Sequence, residues 1–311
     1  MKKITIFGGS GFIGPYVVRE LAKANYQITV VSRSMIKEKE LKLSGNLGQI
    51  SVRRGDIRNP DDIRTSIMGS EIVINLVAIL GGNSSSSMDE INNLACGALA
   101  KISAECGVKR FIHFSALVGC AGTTRYGKSK IEGENAVRAA FPDSIIIRPS
   151  VVFGEEDNFI NSFIKLGKRL RIIPLPLGGK AVFQPVYVAD LSRFVCRVVQ
   201  DDNLRNKVYT VTGPKEYTLG QICSIIRENL KMKMLCLHVP YWLIFCMARI
   251  IGFSLFKPMN KLLYGRTAPI VTCEQVRMLK YSSVSNKNAL PEFGISPTLL
   301  EEKLPLYVEN I

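Results

Sequence analysis

Residues 3–14 read Lys3-Ile4-Thr5-Ile6-Phe7-Gly8-Gly9-Ser10-Gly11-Phe12-Ile13-Gly14. A β-branched run passes directly into a glycine turn of the form G-x-x-G-x-x-G, and the apolar positions beyond it recur at helical spacing. Strand, glycine turn and helix in that order form the opening of a dinucleotide-binding unit. Gly8 permits the tight turn, Gly11 lets backbone N–H groups approach a pyrophosphate, and Gly14 lets the helix pack closely. Ser10, Phe12 and Ile13 complete the loop around the anion. The helix N-terminus adds partial positive charge and unpaired donors. Pro15 falls in the first turn, where its missing N–H is not needed. The glycines also argue against a secretory signal, because they interrupt the apolar core that Lys2 and Lys3 would introduce.

Beyond the turn, short apolar runs alternate with longer helical stretches, the pattern of βαβ units around a parallel sheet. Strands are expected at 3–7, 27–32, 49–54, 71–78, 109–115 and 144–148, with helices at 13–23, 60–68, 88–105 and 126–140. The run Ile72-Val73-Ile74-Asn75-Leu76-Val77 barely alternates, which implies burial on both faces. The expected fold is α/β: a Rossmann-type doubly wound parallel sheet in residues 1–152 and a smaller, mostly helical C-terminal lobe in 153–311. Residues 181–212 are expected to return to the sheet, and the polar run 81–87 reads as a surface loop.

The second strand ends in Ser32-Arg33-Ser34, with Arg33 nineteen residues after Gly14. An acidic residue here would accept from the adenosine ribose hydroxyls; an arginine suits a 2′-phosphate, with the serines as further donors. NADP(H) is therefore favoured over NAD(H). Asp56, beside Ile57 after the third strand, either accepts from the adenine amino group or caps the helix opening at Pro60. Val77, Ala78 and Ile79 end the fourth strand and would line the nicotinamide half, with Pro149 and Val152 after the sixth strand completing the cofactor site.

Tyr126 and Lys130 stand four residues apart on one expected helix, so their side chains share a face. A nearby ammonium, together with the cofactor's positive charge, lowers a tyrosine pKa towards proton exchange with an alcohol or carbonyl, and the lysine reaches the nicotinamide ribose. Ser115 is the candidate third donor. Only eleven positions separate it from Tyr126, which leaves little substrate loop.

The chain carries 41 Lys+Arg against 26 Asp+Glu, a formal charge of +15, which favours anionic partners. Nucleic acid is not expected, since no arginine-rich run or Cys/His finger occurs. The eight cysteines are scattered without a C-x-x-C pair, and only two histidines are present, so no metal site is expected. The thiols read as reduced, mostly core residues of a cytoplasmic protein.

Taken together, these motifs resemble the extended short-chain dehydrogenase/reductase superfamily over essentially the whole chain. The resemblance sharpens at Arg148-Pro149-Ser150-Val151-Val152-Phe153-Gly154, at Gln184-Pro185-Val186-Tyr187-Val188-Ala189-Asp190 and at Thr272-Cys273-Glu274-Gln275-Val276. It is similar to the atypical branch that contains the NADPH-binding accessory subunit of respiratory complex I and its bacterial relatives. That resemblance implies a tightly held NADPH that stabilises the fold, and a partner in a respiratory complex near its quinone end. It also implies a role for Asn92 on the fourth helix. Retention of Tyr126 and Lys130 departs from the mitochondrial members and keeps an active reductase or dehydrogenase open, on a carbonyl, quinone-like or sugar-nucleotide substrate.

Residues 240–256 are apolar, hold the lone tryptophan and are followed by Lys257, Lys261 and Arg266. They are interrupted too often to span a bilayer. Such a segment either lies in a membrane interface, making the protein peripheral on the inner face of a membrane, or completes the core of the smaller lobe.

Overall fold

The computed structural model describes residues 1–80, 85–118, 122–243, 245–246 and 273–311. Strands β1 (Lys3–Phe7), β2 (Gln27–Ser32), β3 (Ile50–Arg54), β4 (Ile72–Asn75), β5 (Arg110–Phe114) and β6 (Ile145–Pro149) alternate with helices. These are α1 (Gly14–Lys23), α2 (Glu38–Lys42), α3 (Pro60–Ile67), α4 (Ser85–Asp89), α5 (Ala95–Glu105) and α6 (Arg125–Ala140), with a π-helical turn, Glu90–Leu94, joining α4 to α5. The smaller lobe adds β7 (Val152–Phe153), α7 (Ile160–Leu170), β8 (Ile172–Pro176), β9 (Val182–Phe183), β10 (Val186–Tyr187) and α8 (Val188–Gln200). There follow β11 (Val208–Val211), β12 (Tyr217–Thr218), α9 (Leu219–Leu230), β13 (Leu235–Val239), α10 (Cys273–Met278) and α11 (Leu300–Tyr307).

The main sheet has seven strands in the order β11-β6-β5-β4-β1-β2-β3, and every pairing in it is parallel. The strand order reverses between β1 and β4, and ligands of open α/β sheets bind at the carboxyl ends of strands flanking such a point. Burial explains the arrangement. Ile4, Ile6, Ile72 and Ile74 face Val17, Val18 and Leu21 of α1 and Leu191, Phe194 and Val195 of α8. Phe7, Val73 and Phe111 face the other way, onto Ile63 of α3, Leu99 of α5 and Val137 of α6. Each such side chain taken fully from water contributes roughly 1.5–3 kcal/mol. A second core joins α7, α9, α11 and β8 through Ile160, Ile164, Ile173, Ile222, Ile226 and Leu304.

Several expectations need correction. Of residues 181–212, only Val208–Val211 joins the large sheet; β9 and β10 instead form two-stranded ladders with β12 and β7. Leu235–Val239 is a strand paired in parallel with β8. Ser85–Asp89 is helical, so the polar run is not loop throughout, and residues 81–84 lie outside the described set. Short α2 carries too few apolar positions to be read from periodicity. Cys96, Cys196 and Cys223 are buried, whereas Cys106 and Cys246 are exposed. Among the described residues no helix is long and apolar enough to cross a membrane. Most of the apolar segment 240–256 lies outside them.

Candidate functional site

The site begins where β1 runs out. Gly8 adopts φ +80°, and a Cβ there would lie 3.0 Å from the Val77 amide nitrogen, so the turn is tight against the end of β4. Gly11 closes it with an N–H donated to the Gly8 carbonyl at 3.0 Å. A Cβ at Gly14 would meet the Gly9 carbonyl oxygen at 2.2 Å. Gly14 thus packs against the turn itself, with no room for a side chain between them. Ser10 and Ser32 share a 2.6 Å hydroxyl hydrogen bond that pins the turn to the end of β2.

α3, α6 and α9 each start under a side-chain cap from Asn59, Thr124 or Thr218. α1 starts at Ile13 without one. α2, α5, α8 and α11 lack one too, but α1 directly follows the glycine turn, and the N–H groups of a helix start are donors that an anion can take.

Above the turn lies a cleft of about 310 Å³ lined by ten of the expected cofactor residues: Gly8, Ser10, Gly11, Arg33, Ser34, Asp56, Ile57, Val77, Ala78 and Ile79. Arg33 and Ser34 are exposed at its rim. Asp56 takes a bidentate pair from Arg58, Nε to Oδ1 at 3.0 Å and Nη2 to Oδ2 at 2.6 Å. Those bonds hold its pKa down at about 2, with the Arg33 charge helping. The cap of α3 is Asn59, which accepts the Asp61 N–H, so capping is not the role of Asp56.

Other expected residues stand elsewhere. The Phe12 ring packs edge-on to Tyr16 and lies against Gly154. Ile13 packs on the core beneath α1. The Pro149 carbonyl accepts the Leu117 N–H, and Val152 pairs with Val186. Phe12, Ile13, Gly14, Pro149 and Val152 therefore do not line the cleft in this structure. Ser32, expected as a further donor, lines it, and so do Phe7, Val31, Gly55, Leu76 and Ile91, which the sequence did not point to. For Phe7, Val31, Gly55 and Leu76 a position at a strand end was the available signal, whereas Ile91 comes from the π-helical turn.

Tyr126 and Lys130 share one face of α6, as expected, but both are buried. Lys130 donates from Nζ to the Phe114 carbonyl at 2.7 Å, and burial lowers its pKa. Burial pushes Tyr126 up to about 12. Removal from water is the cause of that rise, and it acts against the depression expected from the lysine and a cofactor's positive charge together. The Tyr126 N–H donates to Oε1 of Glu274 at 3.0 Å, so α10 closes over the start of α6. Ser115 Oγ is buried and, among the described residues, has no hydrogen-bond partner.

Asn92 sits in the π-helical turn, fully buried. Its Oδ1 accepts the Ile79 N–H at 2.9 Å, while its Nδ2 donates to the Ile79 carbonyl at 2.9 Å and to Ser129 Oγ at 3.1 Å. It therefore ties the wall of the cleft to α6. Asn75 acts similarly at the end of β4, with Oδ1 on the Val77 N–H and Nδ2 towards Cys96 and His113.

Comparison with known proteins agrees with this fold. Residues 4–212 match the family model described as the NAD dependent epimerase/dehydratase family, and residues 120–310 match the RmlD substrate binding domain. The chain is 32% identical over 303 residues to NADH dehydrogenase [ubiquinone] 1 alpha subcomplex subunit 9, mitochondrial, of Mus musculus, covering 96% of this chain and 78% of that one. The Arabidopsis thaliana protein of the same name is 30% identical, over 92% of this chain and 71% of that one. A UDP-glucuronic acid 4-epimerase from Bacillus cereus, solved with NAD, superposes with a TM-score of 0.76 over 99% of both chains at 17% identity. The chain belongs to the NAD dependent epimerase/dehydratase family of extended short-chain dehydrogenase/reductase proteins, and is a relative of that complex I subunit.

Proposed function

We propose that this protein holds NADP(H) as a lasting part of its fold and serves as an accessory component of a membrane-associated respiratory assembly. The Gly8–Gly14 turn and the uncapped start of α1 would receive the pyrophosphate. Arg33 and Ser34 would receive the 2′-phosphate, and Val77–Ile79 would line the nicotinamide half. When bound, such a nucleotide supplies a hydride donor or acceptor. A cleft of about 310 Å³ stands over the turn, lined by Gly8, Ser10, Gly11, Arg33 and Ser34, and this donor set fits that group.

The observation that carries the structural reading is the state of Tyr126: buried, with its pKa pushed up to about 12 and its own N–H held by Glu274. A general acid–base works best with a pKa near the working pH. The relatives named as complex I subunits support an assembly partner and a peripheral place at a membrane. One test is to purify the protein and record whether reduced nucleotide comes with it, and whether added carbonyls or quinones consume it. Retained and unconsumed nucleotide supports this reading; turnover lost in Tyr126→Phe supports the alternative.

That alternative is a reductase or dehydrogenase. It is favoured by the buried Ser115 hydroxyl, partnerless among the described residues, near the lysine whose Nζ binds the next carbonyl back along β5. In it Tyr126 Oη would pass a proton to or from the substrate oxygen, with Ser115 positioning that oxygen.

A further inference from the structure

One surface of the smaller lobe shares no residue with the dinucleotide cleft and differs in make-up from the rest of the exterior. In the β8–β13 ladder, Leu235 stands opposite Ile172, Cys236 opposite Ile173 and Leu237 opposite Pro174. Side chains alternate across such a ladder. Ile173 and Cys236 pack into the core with α7 and α9. Leu235, Leu237 and Ile172 therefore point outward, exposed by 58%, 40% and 37%. Leu170 and Leu177 flank β8 and are exposed too, as are Trp242 and Leu243 just past β13. Seven of the 17 exposed large apolar side chains among the described residues thus fall in two short adjoining segments. Scattered exposed leucines need no explanation, but a contiguous apolar face does.

The rim of this face is cationic. Arg171, Arg227, Lys231 and Lys233 line an open basin of about 690 Å³ that includes Leu235, with Glu228 the one acid among its lining residues. Arg171 and Lys231 follow the last turns of α7 and α9, where a cation also stabilises the helix end. That accounts for neither Lys233 nor the outward aliphatic side chains.

We propose that the β8–β13 face is a docking surface for an anionic phospholipid bilayer. Interfaces between proteins are depleted in lysine, whereas two of the four cations on this rim are Lys231 and Lys233. Here leucine and isoleucine supply the apolar area, lysines and arginines ring it, and a tryptophan stands at its edge. This is the composition of an element seated at a lipid headgroup boundary. The long cationic side chains reach phosphate while their stems cover apolar surface. The inference deepens the peripheral part of the proposed function and is independent of the nucleotide site.

The test is flotation of the full chain with vesicles of phosphatidylcholine alone and of phosphatidylcholine mixed with phosphatidylglycerol. Binding is expected to the mixed vesicles and to weaken with salt. Each cation near an anionic leaflet is worth about fivefold in partitioning, so Lys231→Glu with Lys233→Glu lowers it about 25-fold or more. Leu235→Thr with Leu237→Thr lowers it also, with strand propensity kept, and the thermal midpoint and nucleotide binding recorded alongside show that the fold is retained. Absence of vesicle binding alongside normal nucleotide binding overturns the docking surface and leaves the cofactor reading standing. Vesicle binding indifferent to both double variants overturns it as well. Capture of polyglutamate without vesicle binding assigns the face to an acidic protein and equally overturns the proposal.

Discussion

Gly133 of α6 lies directly against the main chain of Asn92: a Cβ on the glycine would sit 2.0 Å from the Asn92 carbonyl oxygen. The contact draws α6 onto the π-helical turn and places the Asn92 amide on Ile79, at the wall of the nucleotide cleft. Gly133→Ala must therefore push the two helices apart, at a cost of about 1–3 kcal/mol. Urea denaturation should record that loss, and nucleotide affinity should fall with it. An alanine variant of unchanged stability and affinity would show that Asn92 does not hold the cleft.

Arg33 governs the choice between nucleotides. Arg33→Asp removes the guanidinium expected to pair with a 2′-phosphate and places a carboxylate at the same rim. Affinity for NADPH should fall far more than affinity for NADH, by roughly tenfold or more for loss of a charge-assisted pair. Equal losses for both nucleotides in a fluorescence titration would remove this role.

Tyr126→Phe separates holding a nucleotide from using one. The substitution should leave nucleotide affinity within about twofold, since the tyrosine contributes to packing through its ring. Should the protein show a slow reductase activity, the Tyr126-dependent part of its rate-limiting proton step should keep changing with pH towards about 12. A pH profile that levels off near neutrality would mean that the tyrosine is not held in the buried state described above.

Asp157 ties pH to the stability of the smaller lobe. Its carboxylate accepts N–H groups of Phe159, Ile160 and Asn161 on Oδ1, yet burial raises its pKa from 3.8 to about 6. Between those values the folded chain keeps a proton that the unfolded chain releases. Its contribution to stability is thus fully present below about pH 4 and declines as pH rises to about 6, by on the order of 3 kcal/mol. Asp157→Asn keeps one acceptor oxygen and should flatten that decline. A wild-type curve parallel to that of the variant across this range would contradict the assignment.

The main sheet was legible because its strands are nearly continuous apolar runs and its first turn needs glycine at fixed places. Gly8, Arg33, Asp56 and Val77 could be named for the cleft because each stands at a strand end, and the topology converges those ends. The Phe12 ring turns to Tyr16 and Gly154, an orientation that position along the chain does not determine. β13 escaped notice for a different reason. Its five residues continue into an apolar segment of helical appearance, and its partner β8 is about sixty residues away in sequence. The hold of Glu274 on the Tyr126 N–H was likewise invisible, since the two stand 148 positions apart.

The central claim is that the turn from Gly8 to Gly14 receives the diphosphate of a nicotinamide nucleotide. Calorimetric titration of the full chain with NADPH and, separately, NADH tests it most directly. The account predicts saturable one-to-one binding, tighter for NADPH, and its loss in Gly14→Ala, where a methyl group would meet the Gly9 carbonyl. No heat with either nucleotide from a folded protein free of bound nucleotide would contradict it.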